Sequence, residues 1–567
     1  MSEFDDVPRS EVTHSCDVLV VGGGNAGMNA AISARQEGAS VLVMEKADPA
    51  RSGSIGGGVD HFMAYLETGP EWDTREGYLD WVGKVARGAV NVQVQDAIFC
   101  RGGRDEMMER FAHVGSPLQQ PDGSFYRTQS YGQPGPYWIN FNGKHLKLNL
   151  YREAHRLGAK MLSHVVVPGL LKAGGRVAGA VGFHLKTGDF HVALAKTVIL
   201  STGNTNRIYL NPTPFRFNTW QCPADTGAAQ AYGLEIGAAL ANMEYMRWTV
   251  VPKGFSAAGL NALTGMGGKL VNAKGEDFLP RYHPLGDRAP RHVLVDAVYT
   301  ELKDGRGPVY IDCRHLPPEG LGHLRDLLGW DKDTLPDFLM QKGTDLTREP
   351  LEVMFSEGMQ SGPAEVCGSG LMIDERCATT IPGLFAAGDC ADQTRCVHLS
   401  SAGGSRAGHQ AGAEAAGTIM APVDRGGVAE LKEHTYRPLS LKTGTSSVEL
   451  EDKVARVMWK YVGPLREEVG LKRGLAELDE LNGEFAGVRA ADLHELMRCH
   501  ELGTMCTVAR VSAAASLERR ETRFGPYFKR QDYPETDDQF CGQMVVEKRG
   551  EGLAVNFRPL SYEAPAL

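Results

Sequence analysis

Six residues, Gly22-x-Gly24-x-x-Gly27, restrict this chain more than any other stretch. They follow the continuous apolar run CDVLVV at 16–21, which suits a strand buried on both faces, and they open the helix-forming segment MNAAISARQEG, which stops at Gly38. SVLVME at 40–45 supplies the next buried strand. The three segments make one βαβ unit, and a βαβ unit requires a parallel sheet. Each glycine has its own task. Gly22 makes the tight turn, Gly24 lets the backbone approach a diphosphate, and Gly27 allows helix and strand to pack closely. The diphosphate then sits on the helix N-terminus beside Asn25 and Ala26, where free N–H groups and the helix dipole favour an anion. Glu45 stands 18 residues beyond Gly27 at the end of the second strand, where a carboxylate can accept ribose hydroxyls. A dinucleotide site follows from the combination, not from the glycines alone.

FAD is favoured over NAD. A second glycine-containing strand end, GLFAAGD at 383–389, lies far downstream and places Asp389 where it suits a ribityl chain. One complete fingerprint is present, so no separate NAD(P)H domain is visible. Composition agrees with a ligand-wrapping backbone, since 68 of 567 residues are glycine without periodicity, against a usual ~7%. The formal charge of −10, with no dense basic run, argues against nucleic acid as the partner. Eleven cysteines with no CxxC pair give no local iron–sulfur or zinc motif, and no metal site is expected. HELMRCHE at 494–501 is not a zinc motif, because His494 and His500 are six apart and do not share a helical face. The polar N-terminus and the lack of a membrane-spanning apolar run predict a cytoplasmic protein.

The expected fold is α/β: a Rossmann-like FAD-binding domain with a parallel sheet, in two parts at 10–245 and 355–425, interrupted by an inserted α+β capping domain at 246–354 and followed by a helical C-terminal domain at 426–567. The insert is marked by a rise in proline, charge and turns, as in GDRAPRH and HLPPEG, and the C-terminal part by long helical patterns.

The opening unit, EKADPARSGS, TVILSTGNT, GLFAAGDC and RRETRFGPYFKRQDYPETDD together resemble the flavoprotein subunits of fumarate reductase and succinate dehydrogenase, over about residues 14–542. EKADPARSGS and GDCADQTRCVHLSSAGGS are most similar to the adenylylsulfate reductase alpha-subunit branch. The resemblance implies an active site between the FAD and capping domains. Around the cofactor it implies Lys46, Ser52, Gly53, Ser54, Gly57, Gly58, Thr202, Gly203, Asp225, Gly388, Ser400 and Ser401. No histidine stands at 51–54, where succinate dehydrogenases attach their flavin, so the FAD is expected to be non-covalent. His398 and Arg291 match the family's active-site histidine and proton-donating arginine, and are the expected catalytic pair.

The departures bear on the substrate. Ala402 replaces a carboxylate-binding arginine, Met63 stands where adenylylsulfate reductases have asparagine, and Pro252–Lys253 where they have arginine. Met63, Tyr131, Trp138, Trp220 and His292 are the expected substrate contacts, a set more aromatic than anionic. The expected function is an FAD-dependent oxidoreductase passing hydride between flavin N5 and a small aromatic or unsaturated organic substrate. The alternatives are adenylylsulfate reductase, a fumarate/succinate-type enzyme, or an FAD-binding structural protein. The resemblance further implies an oligomer, and a ferredoxin-like iron–sulfur subunit or a ferredoxin as electron partner.

Overall fold

The computed structural model describes residues 10–129, 132–213, 215–257, 259–362 and 366–560. Strand Glu11–Val21, helix Asn25–Gln36 and strand Val41–Met44 form the expected βαβ unit. Val18 stands opposite Val41 on one side and Thr197 on the other, both in parallel register, so the central strand is hydrogen-bonded on two edges and buried on two faces. That is why CDVLVV carries no polar alternation. Lys160–Leu162 extends the sheet beyond Val41–Met44, and Leu384–Ala386 joins Phe190–Leu200 at its carboxyl end, again in parallel.

The sheet is mixed rather than wholly parallel. Val165–Ala173 and Arg176–His184 run antiparallel and add an edge hairpin to Phe190–Leu200. Gly174 and Gly175 both sit at positive φ, the backbone that a two-residue hairpin turn demands. Such a turn needs no crossover helix, so the direction reverses.

Helix Cys396–Ala416 lies directly on helix Asn25–Gln36. The approach is too close for side chains: a Cβ on Gly404 would fall 2.2 Å from Ala26 O, and one on Gly408 2.3 Å from Ala30 O. Both helices start near the carboxyl ends of the parallel strands, and their N-termini converge there.

Between 246 and 354 a four-stranded antiparallel sheet runs Val250–Pro252, Leu351–Phe355, Val309–Asp312, Lys269–Val271, with helices Arg291–Lys303, Pro318–Trp330 and Thr334–Lys342 around it. Its first and last strands in sequence pair with each other, so the segment leaves and re-enters the main body at adjacent points. After 425 come helices Arg425–Ser440, Ser447–Tyr461, Glu468–Glu484 and Leu493–Glu518. A hairpin, Gly542–Arg549 with Gly552–Pro559, then pairs with Leu240–Ala241. Among the described residues no helix is long and apolar enough to cross a membrane.

Candidate active site

A cavity of about 420 Å³ opens where the two helix N-termini meet. The fingerprint glycines divide their work as their positions require. Gly22 is at φ +97°, and a Cβ there would be 2.5 Å from Ser201 O. On Gly27 a Cβ would be 1.9 Å from Gly22 O, so Gly27 serves packing and stands outside the cavity lining. Gly24 meets nothing nearer than Gly53 Cα at 4.0 Å; it opens on the cavity together with Asn25 and Ala26. No side chain caps this helix, which leaves its first-turn amides to a ligand. The N-cap residue of helix Cys396–Ala416, Arg395, likewise makes no side-chain cap bond, and Cys396 and Val397 face the same space. Two helix N-termini on one cavity, the first with no side chain on its amides, suit a ligand with a diphosphate and a second electron-rich group.

The carboxylates fit a hydroxyl-rich ligand. Glu45 lines the cavity while accepting from the amides of Gly23 at 2.6 Å and Ala47 at 2.8 Å. Asp389 Oδ1 accepts from the Cys396 amide at 3.3 Å and from Ser400 Oγ at 3.4 Å. Burial pushes the Asp225 carboxyl up to about 8, against the pull of Lys46 and with Asp389 and Glu45 adding to the rise. Asp225 therefore holds a proton near neutral pH and can donate as well as accept. Ser54 Oγ reaches it at 3.3 Å, and Gly203, at φ +77°, leaves room for it because a Cβ would be 2.5 Å from Asp225 Oδ2. Lys46, Ser52, Gly53, Gly58, Thr202 and Gly388 also line the cavity. Ser401 does not; its hydroxyl accepts from Asn25 Nδ2 at 2.9 Å and fixes that side chain. Gly57 faces the inserted segment, 3.3 Å from Lys332 Cγ at its would-be Cβ.

Of the expected substrate contacts, Trp220 lines the cavity. The guanidinium of Arg291 lies 5.1 Å from the Trp220 ring and donates to Thr249 Oγ1 at 2.5 Å, outside the lining itself. Met63 is buried in a short strand opposite Trp138. Trp138 is buried too, and reaches the cavity only through His61, on which it stacks at 4.4 Å. His292 points elsewhere, edge-on to Phe524 at 5.6 Å, and burial drives its imidazole down to about 3. His398 is 1% exposed, with Nε2 3.3 Å from Tyr78 Oη and its ring edge-on to Phe62 and Phe99, behind the cavity wall. Tyr131 lies outside the described residues.

Sequence reasoning missed the wall supplied by helix Leu493–Glu518. His500, Glu501 and Thr504 line the cavity from more than 450 positions beyond the fingerprint. Burial alone would raise the Glu501 carboxyl, but Lys46 at 2.7 Å and Arg207 at 2.7 Å hold it down at about 2. Arg498 adds a third bond at 3.0 Å. The available signal is HELMRCHE, which fails as a metal motif and serves the cavity instead. Arg395, buried and bonded to Ser361 Oγ at 2.8 Å, was missed as well.

His500 makes a pH prediction. Burial lowers its imidazole to about 4, and Nε2 is 2.9 Å from Thr435 O. The unfolded chain binds this proton more readily, so the contribution of neutral His500 is whole above about 6.5 and is lost as pH falls toward 4. The urea midpoint should drop between pH 7 and pH 5, and His500→Gln should flatten that drop. An identical pH slope in the variant would contradict the assignment.

Residues 17–407 match the family described as FAD binding domain, and 451–566 the family described as fumarate reductase flavoprotein C-term. The chain belongs to this family of FAD-binding flavoproteins. The flavoprotein is 28% identical to an uncharacterized FAD-dependent oxidoreductase of Methanocaldococcus jannaschii, over 96% of this chain and 98% of that one. It is 27% identical to one of the subunits of the CoM/CoB fumarate reductase of Methanothermobacter marburgensis, over 95% and 98%. Among solved structures it superposes on the adenylylsulfate reductase of Archaeoglobus fulgidus with a TM-score of 0.86 at 24% identity, covering 98% and 97% of the two chains. Against the E. coli quinol fumarate reductase chain the TM-score is 0.82 at 22% identity, covering 97% and 98%. These two share the fold with it. The flavoprotein is an FAD-dependent oxidoreductase, and the uncapped helix at Gly24 with the carboxylates around the cavity is the cradle that FAD requires.

Proposed function

We propose that this flavoprotein exchanges hydride with a small unsaturated or aromatic organic substrate seated against Trp220. The observation that carries the reading is the Trp220 ring, which lines the cavity while the Arg291 and Arg247 guanidiniums lie 5.1 Å and 5.7 Å from it. FAD supplies two-electron hydride chemistry at N5 when bound. The indole face stacks a flat substrate, and the adjoining positive charge stabilises negative charge as it develops on that substrate. The N-terminal turn of helix Cys396–Ala416, with Val397 in the lining, turns its dipole toward the electron-rich edge of the cofactor, and the inserted segment supplies Asp331 and Lys332 to the cavity wall. Arg51, Ser52 and Ser54 offer no imidazole for a covalent link, in keeping with dissociable FAD. An iron–sulfur subunit or ferredoxin is the proposed electron partner. Relatives whose names describe them as flavoprotein subunits support a partner subunit of some kind.

The test is anaerobic spectroscopy of the holoprotein near 450 nm with enoates, hydroxylated aromatics, and sulfite with AMP. Bleaching by an organic donor, or reoxidation of photoreduced flavin by an enoate, is the expected result. Bleaching by sulfite with AMP alone would overturn the proposal in favour of adenylylsulfate reductase chemistry. Trp220→Leu should raise KM about 10-fold or more, the worth of a lost stacking contact, with FAD content unchanged. An unchanged KM would remove Trp220 from the substrate seat.

A further inference from the structure

We propose that His61, held by Asp60, is the residue that moves the proton in this cavity; the assignment rests on the hydride-exchange reading above. Of the histidines among the described residues, His61 and His500 line the cavity. His500 shares its end of the cavity with Glu501, on the helix that reaches Lys46, and is tied to Thr435 O. His61 lies on the wall shared with the inserted segment, where Asp331 and Lys332 enter the lining and a Cβ on Gly58 would be 2.8 Å from Asp331 O.

The geometry is that of a fixed acid–base group. Asp60 is 7% exposed, and its Oδ1 is 2.6 Å from His61 Nδ1. The bond selects the Nδ1–H tautomer, leaves the lone pair on Nε2, and stabilises the imidazolium once a proton arrives. Trp138 stacks on the ring at 4.4 Å with 19° between the planes, so the imidazole cannot swing away. Asp60 is anchored in turn, its carbonyl accepting from the Phe141 amide at 3.0 Å and Asn140 Nδ2 at 3.3 Å. Facing charges come from each packed element. Arg51 lies on the glycine loop, and Asp331 and Lys332 on the insert. Lys144 donates to Asp331 O at 3.1 Å and pairs with Asp333 at 2.5 Å. Burial raises the Asp331 carboxyl, with Asp60 adding to the rise and Lys332 and His61 opposing it, which places all four groups in one electrostatic neighbourhood.

The step balances. In oxidation of a CH–CH unit, one hydrogen departs with both bonding electrons to oxidised FAD. The neighbouring C–H bond breaks, its electrons form the C=C bond, and its proton passes to His61 Nε2. Reduction of a C=C bond runs the same exchange backwards, with His61 as the acid.

Two variants of the holoenzyme test this, His61→Gln and Asp60→Asn, with a readout independent of turnover. In histidine-labelled protein, 15N shifts should show neutral His61 protonated on Nδ1, with the ring titrating within the pH 5–8 range open to histidines. An Nε2–H tautomer, or a ring that does not titrate, overturns the proposal. In turnover, His61→Gln should slow substrate-linked bleaching about 100-fold, the scale of a lost acid–base group, with KM and dithionite reduction unchanged. Asp60→Asn should slow it less and move the pH profile to lower pH. Wild-type rate and profile in His61→Gln overturn the proposal. Failure of every organic compound with wild-type protein overturns the hydride-exchange reading instead, and the 15N titration then decides His61 alone.

Discussion

Gly404→Ala should destabilise the protein by about 3 kcal/mol and strip it of FAD, although the same exchange stabilises most helices by up to about 1 kcal/mol. Gly404 lies inside Cys396–Ala416, where alanine's helical preference ought to help. The sign reverses because the new Cβ would stand 2.2 Å from Ala26 O and 2.8 Å from Ala26 Cα. Both are backbone atoms that no rotamer change can move. Relief requires the two helices to separate, and Ala26 lines the cavity beside Gly24, so separation spoils the amide cradle. Gly329, inside Pro318–Trp330 with nothing within 4 Å of its would-be Cβ, is the control; alanine there should be neutral or stabilising. Urea midpoints and flavin bound per chain measure both. Full FAD content and an unchanged midpoint in Gly404→Ala would refute the account.

The second large effect is expected at Glu501. Replacing it with alanine leaves Lys46, Arg207 and Arg498 around a vacated buried site, and removal of one partner from such a network typically costs about 3–5 kcal/mol. Lys46 also lines the cavity, so FAD affinity should fall with stability. Glu501→Gln keeps the shape and one acceptor and should lose less. Because the folded carboxyl is held at about 2, its contribution is complete above about 4.5 and disappears as pH falls through 2. Denaturation of the alanine variant should accordingly lack that part of the acid limb. A midpoint within error of wild type would show the network to be without weight.

What the sequence made legible follows from how far apart the cooperating residues lie. The βαβ unit was readable because strand, turn, helix and distal acid fall within thirty residues and each constrains the next, from CDVLVV to Glu45. Asp389 came from the glycine-containing strand end GLFAAGD and Asp225 from the family resemblance, and both line the cavity. The edge hairpin was missed although Gly174-Gly175 announced it, because the flanking strands are buried on both faces and show no alternation. Glu501 could not be found from local pattern: its role exists only because Lys46 arrives from across the fold. His398 shows the converse case. A motif position is preserved while the side chain turns into an aromatic wall, with Tyr78, Phe62 and Phe99. His61 carried no family motif, and its pairing with Asp60 is visible only once Trp138 is stacked on it.

The cavity wall is drawn from Val21 at one extreme and Thr504 at the other. On the ribosome, the fingerprint therefore emerges long before the helix that completes its enclosure. A nascent chain can offer FAD a half-site at most, open on the side of Glu501, until nearly nine-tenths of the 567 residues have been made. Vectorial synthesis thus separates first contact with the vitamin-derived cofactor from its capture.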